Sequence, residues 1–333
     1  MRRLKPKSIP SIAFCCGFVL FAGCQERTAS VAPVDVGNRG VAASGESKLP
    51  ETDASRAFEH VRKLVDLGPH PSGSPAIKKA QDYLGNELKS YGLKVTEDNF
   101  TGETPRGPIP MKNLIAELPG SRPDIVIIAG HYDTKQLGGF VGANDGGSSA
   151  AAVLEMARVL APTKQDATLW FVLFDGEEAV IEWEGTDNTY GSRHLAAKLT
   201  ADGSLKRIKA MILVDMIGDE NLDLMIDGGS TRWLVDIVWR KAREIGHGRH
   251  FLGNESGYSD DHIPFVERGI PAIDLIDFNY GPGNSYWHTA QDTLDKVSGE
   301  SIKVVCDVVI HSLPEVIKRV LQQAPPPAQR GPQ

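Results

Sequence analysis

Two hydrophobic rhythms alternate between residues 52 and 321. Short apolar runs at 124–130 (DIVIIAG), 168–174 (TLWFVLF) and 209–216 (KAMILVDM) place apolar side chains on consecutive positions. A strand carries such a run only when both of its faces are covered. Less continuous strands are predicted at 93–98 and 112–118, and a short one at 271–276. Between the strands lie stretches of helical period. Thr52 or Asp53 caps the first, which runs to Leu67 and stops at Gly68-Pro69; a second covers 75–91 and ends at Gly92. Further helices are predicted at 147–161, near 190–199, at 230–246 and at 300–321. Strands alternating with helices predict a single-domain three-layer α/β/α sandwich around a mixed, mostly parallel central sheet.

The two ends lack this rhythm. Residues 1–23 join a basic stretch (Arg2, Arg3, Lys5, Lys7) to an apolar run from Ile12 to Ala22, too short for a permanent membrane span. This reads as an export signal. It closes on Phe21-Ala22-Gly23-Cys24, and small residues before a cysteine resemble a bacterial lipobox. Cys24 is then the expected lipid anchor, with plain secretion as the alternative. Residues 24–51, rich in Ala, Ser, Gly, Val and Pro, read as a linker, and 322–333 as a Pro-rich disordered tail. The expected location is the bacterial envelope or periplasm, with membrane contact only through the anchor, and the expected state is a monomer.

Composition removes some possibilities. The chain is 41% hydrophobic and 24% charged with a formal net charge of −7, and without residues 1–23 it holds 32 basic against 43 acidic side chains. Nothing here offers the basic face of a nucleic-acid binder. Cys15, Cys16 and Cys24 belong to the leader or its end, so Cys306 stands alone in the folded part. No intradomain disulfide can form there, and any metal must be held by histidine and carboxylates.

The candidate chemistry sits where the apolar runs end. His131 and Asp133 follow the first, Asp175, Glu177 and Glu178 the second, and Asp215 and Asp219 the third. Ligands of open α/β sheets bind outside the carboxyl ends of the strands. The adjacent acids Glu177 and Glu178 repel one another and are costly to desolvate without a cation; with a metal present, one can ligate while the other moves protons. Asp145 lies in GANDGGSSAA before a helix, where it is either a helix-capping acid or a ligand. That loop lacks the nucleotide-binding glycine spacing and a P-loop lysine. His288, in SYWHTAQDTLDK, offers the nitrogen that a zinc site with an open position expects. Asp260 and Asp261 add two acids in YSDDHIPF, and His262 beside them reads as structural. His60, His194 and His311 read as packing or capping residues, and His247 and His250 as solvent-facing. Trp233 and Trp239 fit the apolar face of a helix. Trp183 and Trp287 lie in loops beside the acids and read as pocket walls.

In this order, HYD (131–133), GANDG (142–146), DGEEA (175–179), DMIGD (215–219) and WHT (287–289) resemble the M28 metallopeptidase-like family across 52–321. DGEEAVIEW, DNTYGSRHLA, YSDDHIPF and YWHT resemble its glutaminyl-peptide cyclotransferase branch in particular. The resemblance implies a zinc-exopeptidase-like fold and one Zn2+ held by Asp145, Glu178 and His288. It makes Glu177 the general acid/base, with Asp215 and Asp260 as hydrogen-bonding supports, and it places Trp183 and Trp287 against the substrate side chain. It further implies a cis peptide after Asp145. Three features depart from the animal enzymes of the branch: they carry a disulfide that this chain cannot make, Asp274 stands where they carry a histidine, and the 277–286 loop is longer. The implied reaction is cyclisation of the N-terminal glutamine of peptides or proteins to pyroglutamate with loss of ammonia. The nearest alternative is an aminopeptidase with a second zinc on His131 and Asp215. A different class of alternative is a non-catalytic surface binding protein on the same fold.

Overall fold

The computed structural model describes residues 51–323. The expected leader, the anchor at Cys24 and the linker up to residue 50 lie outside the described residues, as does the chain from 324. Helices α1 (Ala54–Val65) and α2 (Pro75–Ser90) lead into a hairpin of β1 (Lys94–Thr104) and β2 (Gly107–Leu118). Next come β3 (Arg122–His131), α3 (Gly147–Leu160), β4 (Ala167–Phe174), α4 (Tyr190–Ala201) and β5 (Ile208–Asp215). The chain continues through β6 (Leu224–Asp227), α5 (Arg232–Glu244), β7 (Phe251–Ser256) and α6 (Ile263–Val266). It closes with β8 (Ala272–Ile276) and α7 (Gly299–Gln323).

Six strands form one sheet in the order β1-β2-β4-β3-β5-β8. The β1–β2 and β2–β4 pairs are antiparallel; β4–β3, β3–β5 and β5–β8 are parallel. The sheet is therefore mixed and mostly parallel, as the alternating pattern predicts. Along β3, Val126 and Ile128 join the apolar cluster of α1, α2, α3, α5 and α7, while Ile125, Ile127 and Ala129 join the cluster of α4 and α6. That period-two division puts helices on both faces and accounts for the unbroken apolar runs.

Local signals set the helix ends. The Asp53 carboxylate accepts from the N–H groups of Ser55 and Arg56 and caps α1, and Ser74 caps α2 ahead of Pro75. Helix α3 is rich in Ala and Ser and buried almost throughout, so its backbone lies close against β3. A methyl group on Gly130 would come within 2.8 Å of Ser149 Cβ. Two features exceed the sequence reading. The first hairpin is longer than 93–98 and 112–118, and β6 pairs in parallel with β7 as a separate two-stranded sheet.

Candidate functional site

The sheet order fixes where ligands can gather. From β3 the chain crosses through α3 to β4 on one side, then through α4 to β5 on the other, so the carboxyl end of β3 lies at the switch point. His131 ends β3 and Asp215 ends β5, while Asp175, Glu177 and Glu178 follow β4. Asp145 arrives on the turn into α3. The bond after it is trans, in contrast to the cis bond that the resemblance implies, since no described peptide is cis. The chain turns instead at Gly146, whose φ of 84° glycine adopts without steric cost.

The structure brings the predicted residues together in two triads that share Asp145. His288 Nε2 lies 3.3 Å from Asp145 Oδ2 and 3.2 Å from Glu178 Oε1. His131 Nε2 lies 3.3 Å from Asp145 Oδ1 and 3.1 Å from Asp215 Oδ1. Two atoms each about 2 Å from a zinc and separated by a tetrahedral angle are roughly 3.3 Å apart, so both triads have the spacing of co-ligands. They differ in how well they are satisfied without an ion. Asp215 Oδ1 accepts from the Ser149 hydroxyl at 2.9 Å as well as meeting His131. Asp145 Oδ2 is buried with no hydrogen-bond partner, an arrangement that a cation would complete. The Asp145–Glu178–His288 set fits a metal on both counts.

Other groups hold this geometry. The Asp133 carboxylate accepts from the backbone N–H of Glu177 (3.1 Å) and Glu178 (3.4 Å), fixing the acidic pair. Asp292 accepts from the backbone N–H of Asn144 and Asp145 and from the Tyr280 hydroxyl. Lys135 Nζ lies 3.2 Å from Glu178 Oε2, the oxygen turned away from His288. His288 and Met216 have φ of 51° and 49°, left-handed conformations that persist only where the surroundings fix them.

Glu177 is close to the triads without belonging to either. Its Oε2 is 3.8 Å from His131 Nδ1. Burial raises its pKa well above the usual carboxylate range; His131 opposes this, and Asp260, Glu178 and Asp215 reinforce it. Burial likewise raises Asp260, with Asp215 and Asp261 adding to the effect. Burial alone would depress His288, but Asp145 and Glu178 raise it to about 9.

The acids open into a cavity of about 840 Å³. Glu177 and Asp215 reach it from the carboxyl ends of β4 and β5 and Asp260 from the loop after β7, and Trp183, Trp287, Tyr258, Phe278 and Met216 form its apolar walls. Trp287 stacks on His288 with ring centroids 4.0 Å apart and lies against Phe278 at 4.8 Å. The site thus combines a metal-ligand set, a proton-accepting carboxyl outside that set, and an aromatic slot. The profile of peptidase family M28 matches residues 113–313.

The chain belongs to family M28.

Within the family the similar proteins include glutaminyl cyclases and a zinc-dependent exopeptidase. A glutaminyl-peptide cyclotransferase of Boiga irregularis is 30% identical over 303 residues, covering 78% of this chain and 81% of that protein. A solved glutaminyl cyclase of an Acidobacteriales bacterium is 38% identical with a TM-score of 0.78, covering 85% of this chain and 99% of that one. A solved Zn-dependent exopeptidase of Parabacteroides distasonis is 26% identical with a TM-score of 0.72, over 81% and 99% of the two chains.

Several histidines have ordinary roles. His60 is buried against the Tyr83 hydroxyl, and His194 stacks on Phe100. His262 is fully buried, with Nε2 3.0 Å from Asp227. His311 is exposed in the middle of α7 with Nδ1 2.7 Å from the Asp307 carbonyl, in contrast to the packing or capping role read from the sequence. Trp239 is buried as expected, whereas Trp233 is only partly so, with Arg319 over its ring.

Sequence reasoning missed Lys135 and the role of Asp292. Lys135 stands two residues after HYD, and Asp292 four after His288, so proximity to a candidate motif was the available signal. It also missed Tyr258 and Phe278, which reach the cavity only because the loops after β7 and β8 converge there.

Proposed function

We propose that this chain cyclises the N-terminal glutamine of peptides and proteins to pyroglutamate and releases ammonia. The observation that carries this reading is Glu177, a buried carboxyl with a raised proton affinity at the floor of a tryptophan-walled cavity. In cyclisation the substrate provides its own nucleophile. The α-amino nitrogen bonds to the side-chain amide carbon, and the bond from that carbon to the amide nitrogen breaks. Glu177 accepts the proton lost by the amine and returns it to the departing nitrogen, which leaves as ammonia. Trp183 and Trp287 hold the flat amide side chain so that the chain can fold back on itself, and proximity supplies much of the rate. Asp215 and Asp260 keep the proton affinity of Glu177 high. Asp145, Glu178 and His288 are the residues that would hold a single zinc, whose chemistry when bound is Lewis-acid polarisation of the amide carbonyl.

An aminopeptidase that hydrolyses N-terminal residues is the less favoured reading. Its second metal would need Asp215, whose Oδ1 already accepts from the Ser149 hydroxyl. The test is incubation of the zinc-loaded protein with a Gln-initiated peptide, followed by mass spectrometry and metal analysis. Ammonia loss from the intact peptide and one zinc per chain are expected. Release of free glutamine with two zincs per chain would replace the cyclase reading by the peptidase one.

Export to the bacterial envelope with lipidation of Cys24 is part of the proposal and rests on the sequence of residues 1–24. Labelling with a fatty-acid analogue should be lost in Cys24→Ala. The same preparation should sediment as a monomer.

A further inference from the structure

The two tryptophans of the cavity are held in different ways. Trp287 is stacked against His288 and Phe278, whereas Trp183, 39% exposed, has no ring partner among the described residues. It is carried on the loop between β4 and α4, whose backbone is tied down. That backbone converges on one side chain. Asp187 Oδ1 accepts from the N–H of Val180 (3.0 Å) and the Tyr190 hydroxyl (2.7 Å). Its Oδ2 accepts from the N–H groups of Ile181 (2.8 Å) and Glu182 (3.0 Å). Both oxygens are thus used twice, and the residue is only 6% exposed. The first turn of α4 grips the same loop: Thr189 and Tyr190 donate their N–H groups to the carbonyls of Glu177 and Gly176, and Arg193 donates to those of Thr186 and Asn188.

We infer that Asp187 is a positioning residue that fixes Trp183 as a wall of the cavity and so sets affinity for the glutamine side chain. The inference rests on the cyclase reading of the cavity. Asp187 is four residues along from Trp183 and touches neither the triads nor Glu177, so its effect should fall on substrate binding and spare the chemical step. Replacing the carboxylate by an amide turns one acceptor into a donor facing N–H groups, which frees the 180–182 backbone without changing side-chain size.

The experiment is a double-mutant cycle of Asp187→Asn and Trp183→Ala on a Gln-initiated peptide, with hydrogen exchange of the 180–182 amides read in the absence of substrate. Asp187→Asn should raise KM about tenfold with kcat within about threefold, and should speed exchange at 180–182. The double variant should be no worse than Trp183→Ala alone. Tyr190→Phe, which removes one of the four bonds, should raise KM by about twofold to threefold, and it tests the clamp even if Asp187→Asn fails to fold. Effects of Asp187→Asn and Trp183→Ala that multiply, or a fall in kcat at unchanged KM, would overturn the inference. Unchanged exchange at 180–182 would do the same. If the wild-type protein releases no ammonia, the cyclase reading fails by itself, and the exchange measurement still decides whether Asp187 holds the loop.

Discussion

Glu177 gains its proton affinity from what surrounds it: burial first, then the carboxylates of Asp260, Glu178 and Asp215. Glu177→Gln keeps the size and removes the proton acceptor. It should lower kcat by about 10²–10⁴-fold while KM stays within a few-fold. Unaltered ammonia release would remove Glu177 from its role. Asp292 acts one step back, through the N–H groups of Asn144 and Asp145. Asp292→Ala should weaken zinc binding about 10–100-fold in competition with a chromophoric chelator, because Asp145 loses the group that orients it. Equal affinity would mean that the loop holds Asp145 unaided. These two residues also mark what was legible. Paired acids after a buried run are costly enough to announce a metal or a proton-transfer site. A carboxylate that serves backbone N–H groups 147 and 148 residues earlier in the chain leaves no such local mark.

Among the elements, β3, β4 and β5 were the most readable, because strands buried on both faces must be apolar at consecutive positions. Strands β6 and β7 were not readable. One is four residues long and the other contains Gly253, Asn254 and Glu255, so neither carries a period. What secures that small sheet is polar. Asp227, the last residue of β6, meets His262 at 3.0 Å and accepts from the Ser230 hydroxyl and the Tyr258 N–H. His262 and Asp227 are both fully buried, so removing Asp227 leaves the desolvated His262 with only the Asp274 carboxylate, 3.9 Å from its Nδ1. Asp227→Ala should cost about 3–5 kcal/mol in urea unfolding. It should also loosen Tyr258, which lines the cavity. A loss below about 1 kcal/mol would show that apolar packing, and not this pair, holds β6 and β7 in place.

Across the whole molecule, part of the acidic excess is turned inward. Burial, reinforced by Asp133, raises Asp175 to about 7; burial likewise raises Asp261 to about 7 and Asp277 to about 6. A carboxyl with a folded pKa above its unfolded value of about 4 binds more protons when folded. Its contribution to stability is complete below about pH 4 and lost as the pH rises through 6–7. Metal binding runs the other way, since Asp145, Glu178 and His288 must all be deprotonated to ligate. Chelator-stripped protein should therefore lose thermal stability between about pH 5 and about pH 8. Zinc should restore more of it at the higher pH, by about 2.7 kcal/mol where free zinc is about 100 times its dissociation constant. Thermal unfolding of the stripped and zinc-loaded forms across that range measures the gap. If the gap narrows as pH rises, the ligands cannot be the two carboxylates and the imidazole of this triad, because only deprotonating ligands make zinc more stabilising in alkali.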